Sequence, residues 1–266
     1  MDVLTLTATE FIKPLSAGRT QPLLLAGEDE DGNRVEVVVK LRGREMGSMA
    51  QIAELVAAQL ADDLGIDVPR AAVVEVPESF ERIVATPAIG AALQASPGPN
   101  FGSVLLDSFT TWPVDRAPHG VQRDQAATIF AFDTLIQNPD RRKVNPNVWA
   151  RSDRLGVFDH EQAFSSLTGM VIGGAPRPWH PADQASQFRF LEGHIFYSPL
   201  RGNHSDFDDF AERLGALSDA ALTNYLAPIP ASWRKGHDLC EKIAEYLSEA
   251  RQERQKLVGF IKHFLR

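Results

Sequence analysis

Over the first 80 positions the apolar residues fall into four short runs, Val3–Ile12, Pro22–Ala26, Val35–Leu41 and Ala71–Val76, which predict strands. A longer apolar-periodic segment, Ser48–Leu64, predicts one helix, with Gly65 as its C-terminal stop. Asp, Gly and Asn in the segment Glu28–Asn33 mark a hairpin turn between the second and third strands, because these residues tolerate left-handed backbone. From about Gln122 the pattern changes. A helix to Gln137 is followed by a polar loop and two short strands, Asn147–Ala150 and Leu155–Phe158, and then by mostly helical sequence. Near the C-terminus Leu239, Ile243, Tyr246, Leu247, Ala250, Leu257, Phe260, Ile261 and Phe264 recur at three- and four-residue steps, as on an amphipathic helix packed on a core. The stretch between Pro87 and Gly120, rich in Pro and Gly, is expected to hold the connection between a small sheet-plus-helix part and a mainly helical part.

Composition narrows the class. With 266 residues, 44% of them hydrophobic, and a net charge of −8, the chain is long enough to bury a core and too acidic for general nucleic-acid binding. The segment Ile83–Leu106 carries no charge, but Pro87, Pro97 and Pro99 with Gln94, Ser96 and Asn100 disqualify it as a membrane span. The N-terminus lacks the basic start and apolar run of a signal peptide, and the lone Cys240 can form no intrachain disulfide. A cytoplasmic location is expected. Arg234–Arg266 is locally basic and reads as a solvated helix face.

Candidate chemistry concentrates in NPDRRKVNPN, Asn138–Asn147, followed by LGVFDHEQAF, Leu155–Phe164. Asp140 and Asn145 are five apart, and Asp159 comes fourteen residues after Asn145. That order, a carboxylate for the acceptor hydroxyl and then an amide and a second carboxylate for a divalent cation, suits phosphoryl transfer, which needs positioned charge more than covalent chemistry. Arg142 stands where it could reach the transferring group. Upstream, Lys40 ends the strand VEVVVK and Glu54 lies fourteen residues later on the helix, a lysine for nucleotide phosphates with a brace. The loop Ser16–Pro22 lies where a phosphate-covering loop would be, offering Gly18, Arg19 and Thr20. Each feature also has an ordinary reading: Asp140 in an Asn-Pro turn, Asp159 ending a strand, Lys40 reaching solvent.

Three segments resemble the HipA-like kinases, a family related to phosphatidylinositol 3/4-kinases and distantly to protein kinases. They are VVVKLRG with the helix behind it, NFGS at Asn100–Ser103, and FDTLIQNPDRRKVNPNVWA leading to LGVFDHEQAF. The resemblance implies an α+β, two-lobed protein-kinase-like fold, with an N-lobe over 1–106 and a C-lobe over 107–266. It also implies ATP and Mg²⁺ in the cleft. On that match Lys40 meets the phosphates and Glu54 braces it, Asp140 is catalytic, and Asn145 and Asp159 hold the metal. Asn138-Pro139 stands where protein kinases have His-Arg, and His160-Glu161 replaces Phe-Gly, so activation switching of the protein-kinase kind is not expected. Nor is the added N-terminal module of the toxin kinases.

The function expected is transfer of the ATP γ-phosphate to an unidentified protein or small-molecule hydroxyl; a catalytically silent nucleotide-binding module and a purely structural interaction protein are the alternatives. Lys40 is expected to tolerate replacement by Met without harm to the fold. His180, His194 and His204 are too irregularly spaced for zinc and read as surface or core residues. Phe188, Phe190, Phe196 and Tyr197 read as core, and Ser165, Ser166 and Thr168 as loop hydroxyls open to phosphorylation.

Overall fold

The computed structural model describes residues 1–15, 21–43, 47–169, 176–181 and 188–266. Five strands close into a barrel: β1 (Leu4–Pro14), β2 (Leu23–Glu28), β3 (Arg34–Lys40), β4 (Ala71–Val76) and β5 (Gly98–Val104), in the order β1-β2-β3-β5-β4, with β4 closing in parallel on β1. Alternation decides which side chains fill it. Leu6, Ala8, Val37, Val39, Ala72, Val74 and Val76 point into one apolar core. Ala71 and Val73 of β4 and Phe101 of β5 point the other way, into a second core shared with the helices.

The small sheet is therefore a closed barrel, and β5 is the strand that the composition concealed. Two glycines and a proline weaken its strand signal, yet its centre is buried and pairs with both β3 and β4. Gly102 is needed there, since a Cβ would lie 2.7 Å from Val74 Cγ2. Pro87 does not break structure either; it opens helix α2 (Pro87–Gln94, following α1, Gly47–Asp63), where its missing N–H costs nothing. The expected connection across Pro87–Gly120 is thus much shorter. Residues up to Val104 belong to the barrel side, and by Thr110 the chain has entered a second sheet.

That sheet comprises β6 (Thr110–Thr111), β7 (Val148–Arg151) and β8 (Arg154–Val157). It lies beside α3 (Val121–Leu135), and α4 (Tyr197–Leu200), α5 (Asp208–Ala216), α6 (Asp219–Leu226), α7 (Leu239–Gln252) and α8 (Arg254–Phe264) complete the helical part. The single C-terminal helix expected from periodicity is two helices. The backbone turns at Glu253, while the apolar positions on both sides stay in one core. Phe188 and Phe196 are buried there as expected, with Phe190 and Tyr197 packed against them.

Helix α1 is unusual in having no solvent face from Ala50 to Ala61. Its alanines let elements approach from every side. Gln59 donates to the Tyr225 carbonyl at 3.0 Å, and the Tyr225 hydroxyl donates to Asp63 at 2.5 Å, tying α1 to α6. At its end Gly65, with φ +76°, makes the left-handed turn of a Schellman stop, and Ile66 N–H donates back to the Ala61 carbonyl at 2.9 Å. Two residues on, the Asp67 carbonyl accepts from Val157 N–H at 2.8 Å, which fixes β8 against the chain leaving α1.

Candidate active site

Lys40, at the last position of β3, is mostly buried with three carboxylates around its ammonium group. It contacts Glu54 of α1, donates to Asp159 Oδ1 at 2.5 Å, and lies 3.4 Å from Glu161 Oε2. Strand periodicity alone would send a terminal lysine to water; α1 and the segment after β8 enclose it instead. Gln51 and Glu54, three apart and so on one helix face, act on the same residue. Gln51 Nε2 donates to the Lys40 carbonyl at 3.1 Å, its Oε1 accepts from Phe101 N–H, and Glu54 holds the side chain. The other oxygen of Glu54 accepts from His160 N–H at 2.9 Å. Glu54 thereby joins β3 to the peptide that follows Asp159.

Charge accounts for the protonation states. Burial would lower the Lys40 ammonium, but Glu54, Asp159 and Glu161 hold it well above its usual range. Burial would raise Glu54, and Lys40 with His160 brings it below the ordinary carboxylate range. Glu161 is pushed up, first by burial and then by Asp159 and Glu54. Asp159 itself adopts left-handed backbone, φ 63°, uncommon for a residue with a side chain.

The second group is the loop after α3. Asn145 Nδ2 donates to Asp140 Oδ2 at 2.6 Å, and Arg142 lies 3.4 Å from Asp140 Oδ1 with its side chain half exposed. Paired backbone hydrogen bonds between Arg142 and Asn145, at 3.1 and 2.9 Å, close the loop. Asn138, standing where protein kinases have His, accepts Asp140 N–H at 3.1 Å and donates to Asp133 at 3.0 Å. The segment is turn chemistry, as its Asn-Pro steps suggest, and the turn presents Asp140 beside Asn145.

What joins the two groups is a set of buried residues that carry little signal in the sequence. Arg141 is fully buried, donates to Asp133 at 2.5 and 3.2 Å, and reaches the carbonyls of Asn147 at 2.6 Å and Phe158 at 3.2 Å. His194 Nδ1 accepts from Phe196 N–H at 3.1 Å, so Nε2 carries the proton and donates to Asp133 at 3.0 Å. Burial would raise Asp133; Arg141 and His194 hold it well below the carboxylate range. Burial keeps His194 below its ordinary value. The one signal was an acid, Asp133, within the apolar run FAFDTL.

Lys40, Glu54 and Asp159 are brought together, and so are Asp140, Arg142 and Asn145. Gly18, Arg19 and Thr20 lie outside the described residues. Ser165 and Ser166 are buried and bonded to Gln137, the former at 2.7 Å to its carbonyl, so they are not the open phosphorylation sites expected. Glu54, Asp159 and Glu161 present carboxylate oxygens within 4.8 Å of one another, the hard donor chemistry that Mg²⁺ takes. Among the described residues, no helix is long and apolar enough to cross a membrane.

Comparison with known proteins agrees with this frame. Among solved structures, the Helicobacter pylori proinflammatory kinase CtkA matches over 100% of both chains at 10% identity, with a TM-score of 0.53, which shows a protein-kinase-like fold. The Golgi casein kinase with Mn/ADP bound matches over 99% of this chain and 72% of its own, at 11% identity and a TM-score of 0.45. No curated protein sequence matches. The model of the HipA-like kinase family matches residues 8–170, more than half of the sequence and the whole of both groups around Lys40 and Asp140, and the chain belongs to that family.

Proposed function

We propose that the protein is an ATP-dependent phosphotransferase that moves the γ-phosphate of ATP to a hydroxyl acceptor, with lobes meeting near Leu106. The observation that carries this reading is the ammonium of Lys40 held between Glu54 of α1 and Asp159 beyond β8, while Asp140 faces Asn145 on a loop tied to the same segment through Arg141. In this reading Lys40 meets the nucleotide phosphates. Asp140 accepts the proton of the acceptor hydroxyl as its oxygen bonds to the γ-phosphorus and the bond to the β-phosphate oxygen breaks, releasing ADP. Arg142, half exposed, stabilises charge on the phosphoryl group in flight. Asn145 and Asp159 hold Mg²⁺, which when bound neutralises phosphate charge. The buried, unpaired Cys240 suits a reducing cytoplasm.

A silent nucleotide-binding module is the second reading. What favours it is that the protein's own carboxylates surround Lys40. Thermal unfolding with and without Mg-ATP tests the first step: a ligand at a hundredfold excess over its dissociation constant stabilises by about 2.7 kcal/mol. Phosphate release to water, protein, sugar and lipid-headgroup hydroxyls tests the second. A thermal shift with no transfer to any acceptor favours the silent module; no shift at millimolar Mg-ATP removes both.

A further inference from the structure

Protein kinases carry a glycine, with no side chain, at the second position after the metal-binding Asp. Here that position is Glu161, and its carboxylate turns back to within 3.4 Å of Lys40 Nζ. An ammonium group has three N–H bonds. Glu54, Asp159 and Glu161 supply three acceptors for them, so no donor is left to meet a phosphate. Two of the three hold Lys40 closely. Glu54 is buried, tight against Lys40 and bonded to His160 N–H, and Asp159 lies 2.5 Å from Lys40. Glu161 makes the longest of the three contacts, 3.4 Å against 2.5 Å for Asp159, and its carboxylate forms no other hydrogen bond among the described residues.

We propose that Glu161 is a positioning residue that occupies the phosphate-facing donor of Lys40, so that nucleotide binds only by displacing it. The inference rests on the nucleotide-binding reading above. One lysine against three carboxylates leaves the group with two surplus negative charges when all are ionised, and an uncomplexed nucleoside triphosphate adds more. Like charges at this range in a mostly buried site repel strongly. Glu161 therefore both competes for Lys40 and repels free ATP, and a divalent cation offsets both effects. The consequence is selectivity: the site discriminates Mg-ATP from free ATP more sharply than it would with a neutral residue at 161.

The test is titration calorimetry of the full chain with a non-hydrolysable ATP analogue, with Mg²⁺ and with a chelator, on the parent, Glu161→Gln and Glu161→Gly. The Gln variant keeps the shape without the charge. The Gly variant restores the residue protein kinases have, so a folding defect in one leaves the other readable. The expected result is that both variants bind the metal-free analogue about tenfold more tightly than the parent, while Mg²⁺-supported affinity changes less, so that the ratio of the two dissociation constants shrinks. Unchanged metal-free affinity overturns the proposal. So does a loss of Mg²⁺-supported affinity alone, which would make Glu161 a cation ligand and not a competitor. A parent that binds no nucleotide under either condition overturns the nucleotide-binding reading itself, a result the variants cannot mimic.

Discussion

Arg141 donates from its guanidinium to the Phe158 carbonyl at 3.2 Å, so the residue that follows Asp140 holds the residue that precedes Asp159. The same guanidinium is neutralised by Asp133, which His194 also contacts, and all three side chains are buried. The two carboxylates proposed for chemistry, Asp140 and Asp159, are thereby registered to each other through one ion pair in the core.

Removing that pair from one side is costly. Arg141→Ala strands Asp133 without its counter-charge and is expected to destabilise the fold by about 3–5 kcal/mol, read by urea unfolding. Arg141→Lys keeps the charge and loses the fork that reaches Phe158 and Asn147 together. It should lower phosphate turnover by more than it weakens nucleotide binding. Equal losses in both would assign Arg141 to general stability.

Stability should fall in two steps as pH is lowered. His194 has a folded pKa below its unfolded value of about 6.5, so its contribution is present above that pH and is lost as pH falls below it. Asp133 and Glu54 are held below their unfolded values of about 4, and their contributions are lost only as pH falls further, through the folded pKa values. Lys40, held high, contributes nothing to either limb; its share is lost only in strong alkali. Urea unfolding between pH 7.5 and 3 checks this. His194→Gln should flatten the upper step and leave the lower one in place.

Strand geometry alone predicts that Lys40→Met spares the fold. The structure reverses this. Methionine fits the space, but Glu54 is 2% exposed and loses the charge that keeps it ionised. The variant should be destabilised by several kcal/mol, on the order of 3–5. Adding Glu54→Gln should recover much of the loss, since the unpaired charge goes too. Thermal and urea unfolding of the single and double variants give the coupling directly; a strictly additive pair would show that Glu54 does not depend on Lys40.

The two aspartates should separate in kinetics. Asp159→Asn removes a charged oxygen from the proposed cation site and should weaken Mg²⁺-dependent nucleotide binding. Asp140→Asn should leave that affinity nearly unchanged and lower turnover by about 10²-fold or more, the pattern of a group needed chiefly in the transition state. Calorimetry paired with an ATP-turnover assay distinguishes them, and the opposite assignment of effects would exchange their roles.

Much of this site could be read from residue order. Lys40 ends β3, Glu54 lies within α1 and Asp159 follows β8, elements that hydrophobic periodicity marks well, and Ala71–Val76 matches β4 residue for residue. What escaped was set by tertiary context. The strand β5 carries Gly102 where the Val74 side chain crowds its backbone and Gly98 where φ is +86°, and with Pro99 between them its own side chains announce little. Asp133 looks like a helix-face charge until Arg141 and His194 are seen around it. Gln51 is an ordinary polar residue until its amide is found between Lys40 and Phe101.

Helix α1 bears on how the Lys40–Glu54 pair could be controlled. A helix that swings to make and break a lysine–glutamate pair needs a side it can leave, filled by water in one of its positions. From Ala50 to Ala61 this helix has no such side: the barrel, α6 and the helical core surround it, and Glu54 is fastened to the segment after Asp159 as well as to Lys40. Withdrawing it would open a void along twelve residues at once. On the proposed function, modulation would then act on what the site receives, the nucleotide, its cation and the acceptor, and not on withdrawal of this helix.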